Sequence, residues 1–244
     1  MRRVALFTEG HTEQILVREC LLRIMDPSKL SFECYTLLAH TLKSAPYRFP
    51  PSSLNNNAEV FFMIIDAHGD EGVISAIKDR ERDLIENGHY DVILGLRDMY
   101  CDAYHRLAQG TIKDSVSAQL IQSHQAIINT MTYRDRIKLH YTIMEGEAWI
   151  LAMYNLFKKI DPTVTTEYIK MKLGIDLKTT DPQVTFYRPS EQLQSVLSLC
   201  GRQYKKKFSD VQAICAQIDR KDIRDAVRNG RCRSFDIFRR EIQL

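Results

Sequence analysis

Short apolar runs and helical patterns alternate along the first part of the chain. Five runs rich in apolar residues predict strands at residues 3–7, 32–38, 59–65, 91–96 and 136–144. Apolar residues at three-to-four spacing predict helices after the first and third strands, ending at Pro27 and Gly88. This order predicts βαβ crossovers and a mainly parallel sheet flanked by helices, which is an α/β fold.

The connecting segments add a loop and further helices. Residues 43–57 hold three of the seven prolines and a run of asparagine, which predicts a loop. Residues 103–129 are predicted to be mostly helical, and an apolar helix is predicted at 148–157.

The end of the chain is expected to be helical and basic. Only short helices are predicted after Pro162, so we predict an α/β core over residues 1–160 and a helical region over residues 161–244. Residues 201–244 contain 12 Lys or Arg against six Asp or Glu, although the net charge of the whole chain is only +3. A basic tail suits a bound polyanion, but it also suits a solvated helical surface, and charge alone leaves both open.

Composition favours a soluble, cytoplasmic protein. Of the 244 residues, 44% are hydrophobic and 27% are charged, as in ordinary globular proteins. The apolar run at the N-terminus is too short for a signal peptide, and no stretch approaches the roughly 20 apolar residues of a membrane helix. The six cysteines are scattered without a CxxC pair, which argues against a zinc site or a disulfide framework.

Carboxylates follow four of the predicted strands. In open α/β sheets, ligands bind outside the carboxyl ends of the strands. Acidic side chains gathered there repel one another unless a cation neutralises them, and hard divalent cations prefer oxygen ligands. Any single acid also fits a turn or a helix N-terminus, so the metal hypothesis depends on joint placement. The acids are Glu9, Asp66, Asp98, Asp102, Glu145 and Glu147.

The first strand-to-helix turn could also bind phosphate. Gly10, His11 and Thr12 lie there, and free amides at a helix N-terminus can hold an anion, although any such turn has them. The chain contains neither GxSxG nor GxxxxGK[ST], which disfavours a serine nucleophile and nucleotide phosphotransfer. Aromatic residues are spread along the chain without a stacking motif, so stacking of single strands is not predicted.

Four segments carry a family resemblance. EGHTE at residues 9–13 resembles the EGxTE motif that begins Toprim-like domains of the OLD-nuclease kind. Within that superfamily the chain most resembles a bacterial family catalogued as a domain of unknown function. Its Asp-Leu-Tyr is matched by DMY at 98–100, its His-Glu-Phe-Glu-Ala-Leu-Leu by MEGEAWI at 144–150, and its Tyr-x-Lys by YKK at 204–206.

The chain departs from the family at three points. Met144 replaces the family histidine, and Gly146 replaces the family phenylalanine. The Toprim Asp-x-Asp is not intact, because Asp98 is followed by Asp102, and residues 66–68 are a rival placement for that motif. Whether a second metal could bind therefore stays open.

The resemblance implies a divalent-metal-dependent nuclease that uses Mg²⁺ or Mn²⁺. Relatives often work beside ATPases in anti-phage or plasmid-defence systems, so the expected partners are nucleic acid and an ATPase subunit, with no membrane; an oligomer is compatible. The alternative is a catalytically degenerate Toprim-like subunit that binds nucleic acid or a partner ATPase. The implied catalytic residues are Glu9, Asp98 and Glu147, the implied metal ligands are Glu9, Asp98, Asp102, Glu145 and Glu147, and the implied phosphate-binding residues are Gly10, His11, Thr12, Lys205 and Lys206.

Overall fold

The computed structural model describes residues 1–39, 41–45, 55, 57–69 and 72–243. Most of the predicted loop at 43–57 lies outside these residues, so that prediction is not addressed there. Among the described residues, no helix has the length and apolar character needed to cross a membrane.

The α/β class is confirmed by a six-stranded sheet with helices packed around it. The strands are β1 (Arg2–Thr8), β2 (Leu30–Leu38), β3 (Thr41–Ser44), β4 (Val60–Asp66), β5 (Val92–Asp98) and β6 (Ile137–Thr142). Their order in the sheet is β3-β2-β4-β1-β5-β6. The sheet is mainly parallel, and β3 pairs antiparallel with β2.

The helices are short after the sheet ends, which confirms the predicted helical C-terminal region. They are α1 (His11–Ile24), α2 (Gly72–Arg82), α3 (Asp102–Ala108), α4 (Asp114–Ile128), α5 (Glu147–Ala152), α6 (Leu156–Ile160), α7 (Thr166–Leu173), α8 (Pro182–Thr185), α9 (Pro189–Ser198), α10 (Phe208–Cys215), α11 (Arg220–Ala226) and α12 (Arg233–Ile242). One π-helical turn, Asp83–Asn87, extends α2 as far as the predicted stop at Gly88.

Packing divides the chain into two compact units. Unit 1 comprises residues 1–97 and 114–141, and unit 2 comprises residues 98–113 and 142–244. Within unit 2, α5 packs against α8, α9 and α11. The division into an α/β core over residues 1–160 and a helical region over residues 161–244 stays a prediction.

Unit 1 holds the body of the sheet, with β1 at its centre. Phe7 of β1 lies between Ile65 of β4 and Gly95 of β5, and the strand is buried from Val4 onward. Parallel strands covered on both faces need apolar side chains on both, which explains their continuous apolar runs. Because β1 and β4 are parallel, their carboxyl ends lie side by side, and Glu9 and Asp66 of unit 1 lie at that edge.

The edge strand β3 corrects one prediction. Residues 43 and 44, assigned to the loop, instead end β3, where Ser44 pairs with Tyr35 and Thr41 pairs with Leu38. The strand is four residues long and mostly exposed, so it has no apolar run to reveal it.

Unit 2 packs around an aromatic core on α5 and α12. The Trp149 ring stacks on Phe235 and Phe238, with centroid distances of 4.6 and 5.5 Å. All three side chains are fully buried. This core fixes α5, and with it the glutamate at its first position.

Candidate functional site

The segment after β6 turns sharply into α5 and carries two acids of unit 2. Met144 has a left-handed backbone with φ of 68° and a fully buried side chain. Its carbonyl accepts a hydrogen bond from the Tyr100 amide at 2.8 Å, while the Met99 amide donates to the Thr142 carbonyl at 2.9 Å. These bonds tie the segment after β5 to the segment that carries Glu145.

Glu147 is the most completely buried acid in this cluster. Its side chain is 0% exposed, and Glu147 is the first residue of α5. Its Oε1 accepts a hydrogen bond from the Tyr204 hydroxyl at 2.7 Å and lies 3.2 Å from Lys206 Nζ. Its Oε2 is buried and has no hydrogen-bond partner within the described part of the chain. A buried carboxylate oxygen left without a partner is costly, and a bound ion, a bound water or a catalytic role can account for it.

Glu145 is held from two sides. Its Oε1 accepts from Lys206 Nζ at 2.7 Å and from Ser190 Oγ at 2.9 Å. Its Oε2 accepts from the Ser190 amide at 2.8 Å. Ser190 lies in the first turn of α9, so the N-terminus of that helix orients Glu145.

Asp98 ends β5 and joins the same cluster. Its Oδ1 accepts a hydrogen bond from Thr142 Oγ1. Burial, and next the carboxylate of Glu147, raise the pKa of Asp98 well above its usual range. Burial lowers the pKa of the Lys206 ammonium, but Glu147 and Glu145 outweigh that effect and raise it, so Lys206 stays charged. One ammonium thus faces three carboxyl groups, which leaves negative charge in excess.

The donor chemistry of this cluster fits a hard divalent cation. All donors are carboxylate oxygens, and the orphaned Oε2 of Glu147 is open to a further partner. No group of three or more His, Cys, Asp or Glu side chains among the described residues is placed to hold a metal ion. Lys206 Nζ lies 2.7 Å from Glu145 Oε1 and 3.2 Å from Glu147 Oε1. Mg²⁺ in phosphate-handling sites commonly takes only one or two carboxylates and fills its shell from water and substrate.

Glu9 lies in unit 1, whereas the four residues above lie in unit 2. Its Oε2 is 3.8 Å from Arg97 Nε, and both side chains are buried. Arg97 Nη1 is in turn 3.0 Å from His124 Nε2, and His124 Nδ1 is 3.1 Å from the Tyr141 hydroxyl. Arg97 therefore pairs with an acid, and the predicted catalytic and metal-binding role of Glu9 stays a prediction.

The tautomer of His124 follows from its partners. A guanidinium only donates hydrogen bonds, so Nε2 must accept and neutral His124 carries its proton on Nδ1. Burial, and next the charge of Arg97, lower the pKa of His124 to about 4. The histidine is therefore neutral at physiological pH and holds Arg97 as an acceptor.

Asp66, the rival acid, also lies in unit 1. It ends β4, opposite Thr8 of β1, and its Oδ1 accepts a hydrogen bond from the His68 amide at 2.9 Å. Burial raises the pKa of Asp66. The amide of Gly69 donates to the Glu9 carbonyl at 3.0 Å, so the loops after β4 and β1 are joined.

The predicted phosphate-binding turn forms the start of α1. Gly10 is the N-cap residue in extended conformation, and no side-chain hydrogen bond caps the helix among the described residues. His11 is partly exposed, whereas Thr12 is buried. Phosphate binding by Gly10, His11 and Thr12 stays a prediction.

Asp102 and Lys205 are not drawn into the unit 2 cluster. Asp102 is the exposed first residue of α3, where a negative charge complements the helix dipole. Lys205 is exposed and lines a surface pocket of about 540 Å³ together with Arg202 and Tyr204. Only Lys206 of the two predicted lysines reaches the acids.

Two side chains of the cluster were missed from the sequence. Thr142 ends the alternating pattern of β6, and nothing in the neighbouring sequence indicates its hydrogen bond to Asp98. Pro189 signals a helix start, which makes Ser190 recognisable as a first-turn residue, but its partner Glu145 is 45 positions away. Such contacts arise from tertiary packing.

Comparison with known proteins identifies no relative. A scan against protein-family models finds no matching family. Searches of curated proteins and of solved structures also find no match. The Toprim-like and OLD-nuclease resemblance therefore rests on the sequence motifs.

Proposed function

We propose that this protein hydrolyses phosphodiester bonds of nucleic acid with a divalent cation, at a site built from Asp98, Glu145, Glu147 and Lys206. The observation that carries the proposal is the meeting of Lys206 and Tyr204 with Glu145 and Glu147. The segments MEGEAWI and YKK lie about 60 positions apart in the sequence, yet their polar side chains are in contact.

The chemistry assigns a role to each residue. Asp98 and Glu147 would hold Mg²⁺ or Mn²⁺, because Glu147 Oε2 is buried and unpartnered and Asp98 is disfavoured as a bare anion. When bound, such an ion neutralises phosphate charge and lowers the pKa of water. Lys206 binds a phosphate oxygen, since its ammonium stays charged. Tyr204 positions Glu147, and Glu145 positions Lys206.

Hydrolysis of the phosphodiester requires that the negative charge on the phosphate oxygens be stabilised. A water oxygen adds to phosphorus and gives up one of its protons, the bond to the leaving oxygen breaks, and the leaving oxygen takes up a proton in turn. Negative charge spreads over the phosphate oxygens in the transition state, so a fixed ammonium stabilises it. The ion pairs hold Lys206 in place before substrate arrives, which lowers the cost of reorganisation.

The test is a cleavage assay with the full chain. Purified protein is incubated with supercoiled DNA, single-stranded DNA and RNA, each with Mg²⁺ or Mn²⁺ and with EDTA. We expect ion-dependent cleavage of at least one substrate and a loss of about 100-fold or more in Glu147→Gln and Lys206→Met. The matched control is Lys221→Met, which removes an exposed lysine of α11. Absence of cleavage by the wild type, or unchanged cleavage by both site variants, contradicts the proposal; Glu9→Gln tests the predicted role of Glu9 in the same assay.

A second candidate is a non-catalytic subunit that binds nucleic acid or a partner ATPase. It is favoured by the ion pairs of Lys206, which already neutralise part of the acidic cluster without a metal, and by the lack of a three-ligand group among the described residues. This candidate predicts nucleic-acid or ATPase binding that survives EDTA, together with no heat of Mg²⁺ or Mn²⁺ binding in calorimetry.

A further inference from the structure

Three tyrosines and a histidine of unit 2 form one aromatic cluster. The rings of Tyr100 and Tyr187 meet edge to face, with centroids 5.4 Å apart. The Tyr104 ring lies 6.4 Å from Tyr187, and His105 Nδ1 is 3.1 Å from the Tyr187 hydroxyl. Residues 100–105 and residue 187 are far apart in sequence, which is why no stacking motif is visible along the chain.

The cluster combines a rigid base with accessible rings. Tyr104 is fully buried, and its hydroxyl is fixed by the amide and the carbonyl of Lys113 at 2.8 and 3.2 Å. Tyr100 and Tyr187 are partly exposed, and His105 is exposed. Partly exposed rings on a fixed support can stack a planar ligand with little loss of side-chain entropy.

The chain itself keeps this cluster next to the acidic site. Tyr100 follows Asp98 by two residues, so their Cα atoms are at most about 7 Å apart. Tyr187 precedes Ser190 by three residues, within about 11 Å, and Ser190 holds Glu145 through two hydrogen bonds. The aromatic pair therefore bridges the segment that carries Asp98 and the segment that anchors Glu145.

Cations at the cluster suit a ligand with phosphates. Arg188 adjoins Tyr187 and is exposed, with Nη1 paired to Glu191 at 2.5 Å. Arg106 adjoins His105 and is also exposed. Aromatic faces beside exposed guanidinium groups are the features that bind unstacked bases and their phosphates.

We propose that Tyr100 and Tyr187 stack a nucleobase of a single-stranded segment and so present the adjoining phosphodiester to the acidic site. This inference rests on the proposed function and adds its substrate class. A base inside a duplex has both faces covered by its neighbours, so it cannot use these rings without leaving the stack. Single-stranded DNA and RNA offer the same ring faces.

The test measures binding in EDTA, so that cleavage does not interfere. Fluorescence anisotropy gives the affinity for a labelled single-stranded DNA, the same sequence as RNA, a blunt duplex, and a strand with abasic sites. We expect Tyr187→Ala and Tyr100→Ala to bind both single strands about tenfold more weakly, and Tyr187→Phe to stay within about twofold because it keeps the ring. The matched control Tyr168→Ala removes a tyrosine of α7 and should bind like the wild type.

The abasic strand separates stacking from phosphate contacts. We expect it to bind the wild type about as weakly as Tyr187→Ala binds the intact strand, with no further loss in the variant. Unchanged affinity of both alanine variants, or an equal loss for duplex and single strand, overturns this inference while leaving the cleavage proposal intact. No binding of any nucleic acid by the wild type also overturns this inference, whereas the proposed function is decided separately by the cleavage assay with Mg²⁺ or Mn²⁺.

Discussion

Removing the ammonium of Lys206 is the most informative perturbation of unit 2. In Lys206→Met, the methionine fills a similar volume, but Glu145 loses a contact of 2.7 Å and Glu147 one of 3.2 Å. Glu147 is 0% exposed, and its Oε2 already lacks a hydrogen-bond partner among the described residues. The variant therefore leaves the buried carboxylates of Glu145 and Glu147 without the ammonium that offsets part of their negative charge.

The size of the effect follows from burial. Removing one partner of a fully buried ion pair costs about 3–5 kcal/mol. The Lys206 side chain is 41% exposed, so water screens the pair and the expected loss is reduced to about 1–3 kcal/mol. For a chain of this size, 1 kcal/mol shifts Tm by about 2–4 °C, so we expect Tm to fall by about 2–12 °C.

Divalent ions should reverse this loss. Without the ammonium, the carboxylates of Glu145 and Glu147 attract Mg²⁺ more strongly, and a free ion at about 100 times its Kd adds about 2.7 kcal/mol of stability. The assay is thermal unfolding at pH 8 in EDTA and in MgCl₂, with Lys221→Met as the control. Equal Tm values for Lys206→Met and wild type in EDTA, or an equal response of both to Mg²⁺, would refute the electrostatic reasoning.

Three further predictions concern single side chains. A Cβ on Gly95 would lie 2.5 Å from Leu139 Cδ2, so Gly95→Ala should cost about 1–3 kcal/mol in urea unfolding, and much of this cost should vanish in a Leu139→Ala background. The pKa of His124 is lowered to about 4 in the folded protein, whereas it is about 6.5 in the unfolded chain, so the unfolded chain binds a proton first as the pH falls. The free energy of unfolding should therefore decrease between about pH 6.5 and about pH 4, and it should decrease less in His124→Gln. NMR titration measures the pKa of His124 directly. Tyr204→Phe removes the 2.7 Å hydrogen bond to buried Glu147 and should lower the free energy of unfolding by about 1.5–3 kcal/mol; an unchanged urea midpoint would show that Glu147 does not depend on it.

The sheet was predictable because buried parallel strands are continuous in sequence. The runs at β1, β4 and β5 contain almost no polar residue until they end, and each was found within two residues. β3 has no such run, because an exposed edge strand needs no apolar side chains. The contacts of α5 with α8, α9 and α11 arise from tertiary packing and carry no local sequence signal.

The candidate site was predictable only in part. Strand-end position led to Asp98, Glu145 and Glu147, because parallel strands deliver their ends to one edge. The family motif implied a phosphate contact for Lys206, but its contact with these acids was not predicted. Lys206 has a left-handed backbone, with φ of 53°. The anchoring of Glu145 by Ser190 depends on the packing of α9 against α5 and carries no local sequence signal.

Cleavage of phosphodiester bonds by the acidic cluster of unit 2 is tested by the single-turnover cleavage rate of Asp98→Asn. Asparagine has nearly the same volume as aspartate, so the fold should be kept, and an unchanged Tm would show this. The matched control is Asp135→Asn, since the Asp135 side chain is 95% exposed. We expect Asp98→Asn to lose about 100-fold or more of the Mg²⁺- or Mn²⁺-dependent rate, while Asp135→Asn cleaves like the wild type. Equal rates for Asp98→Asn and wild type would show that this cluster does not carry out the cleavage.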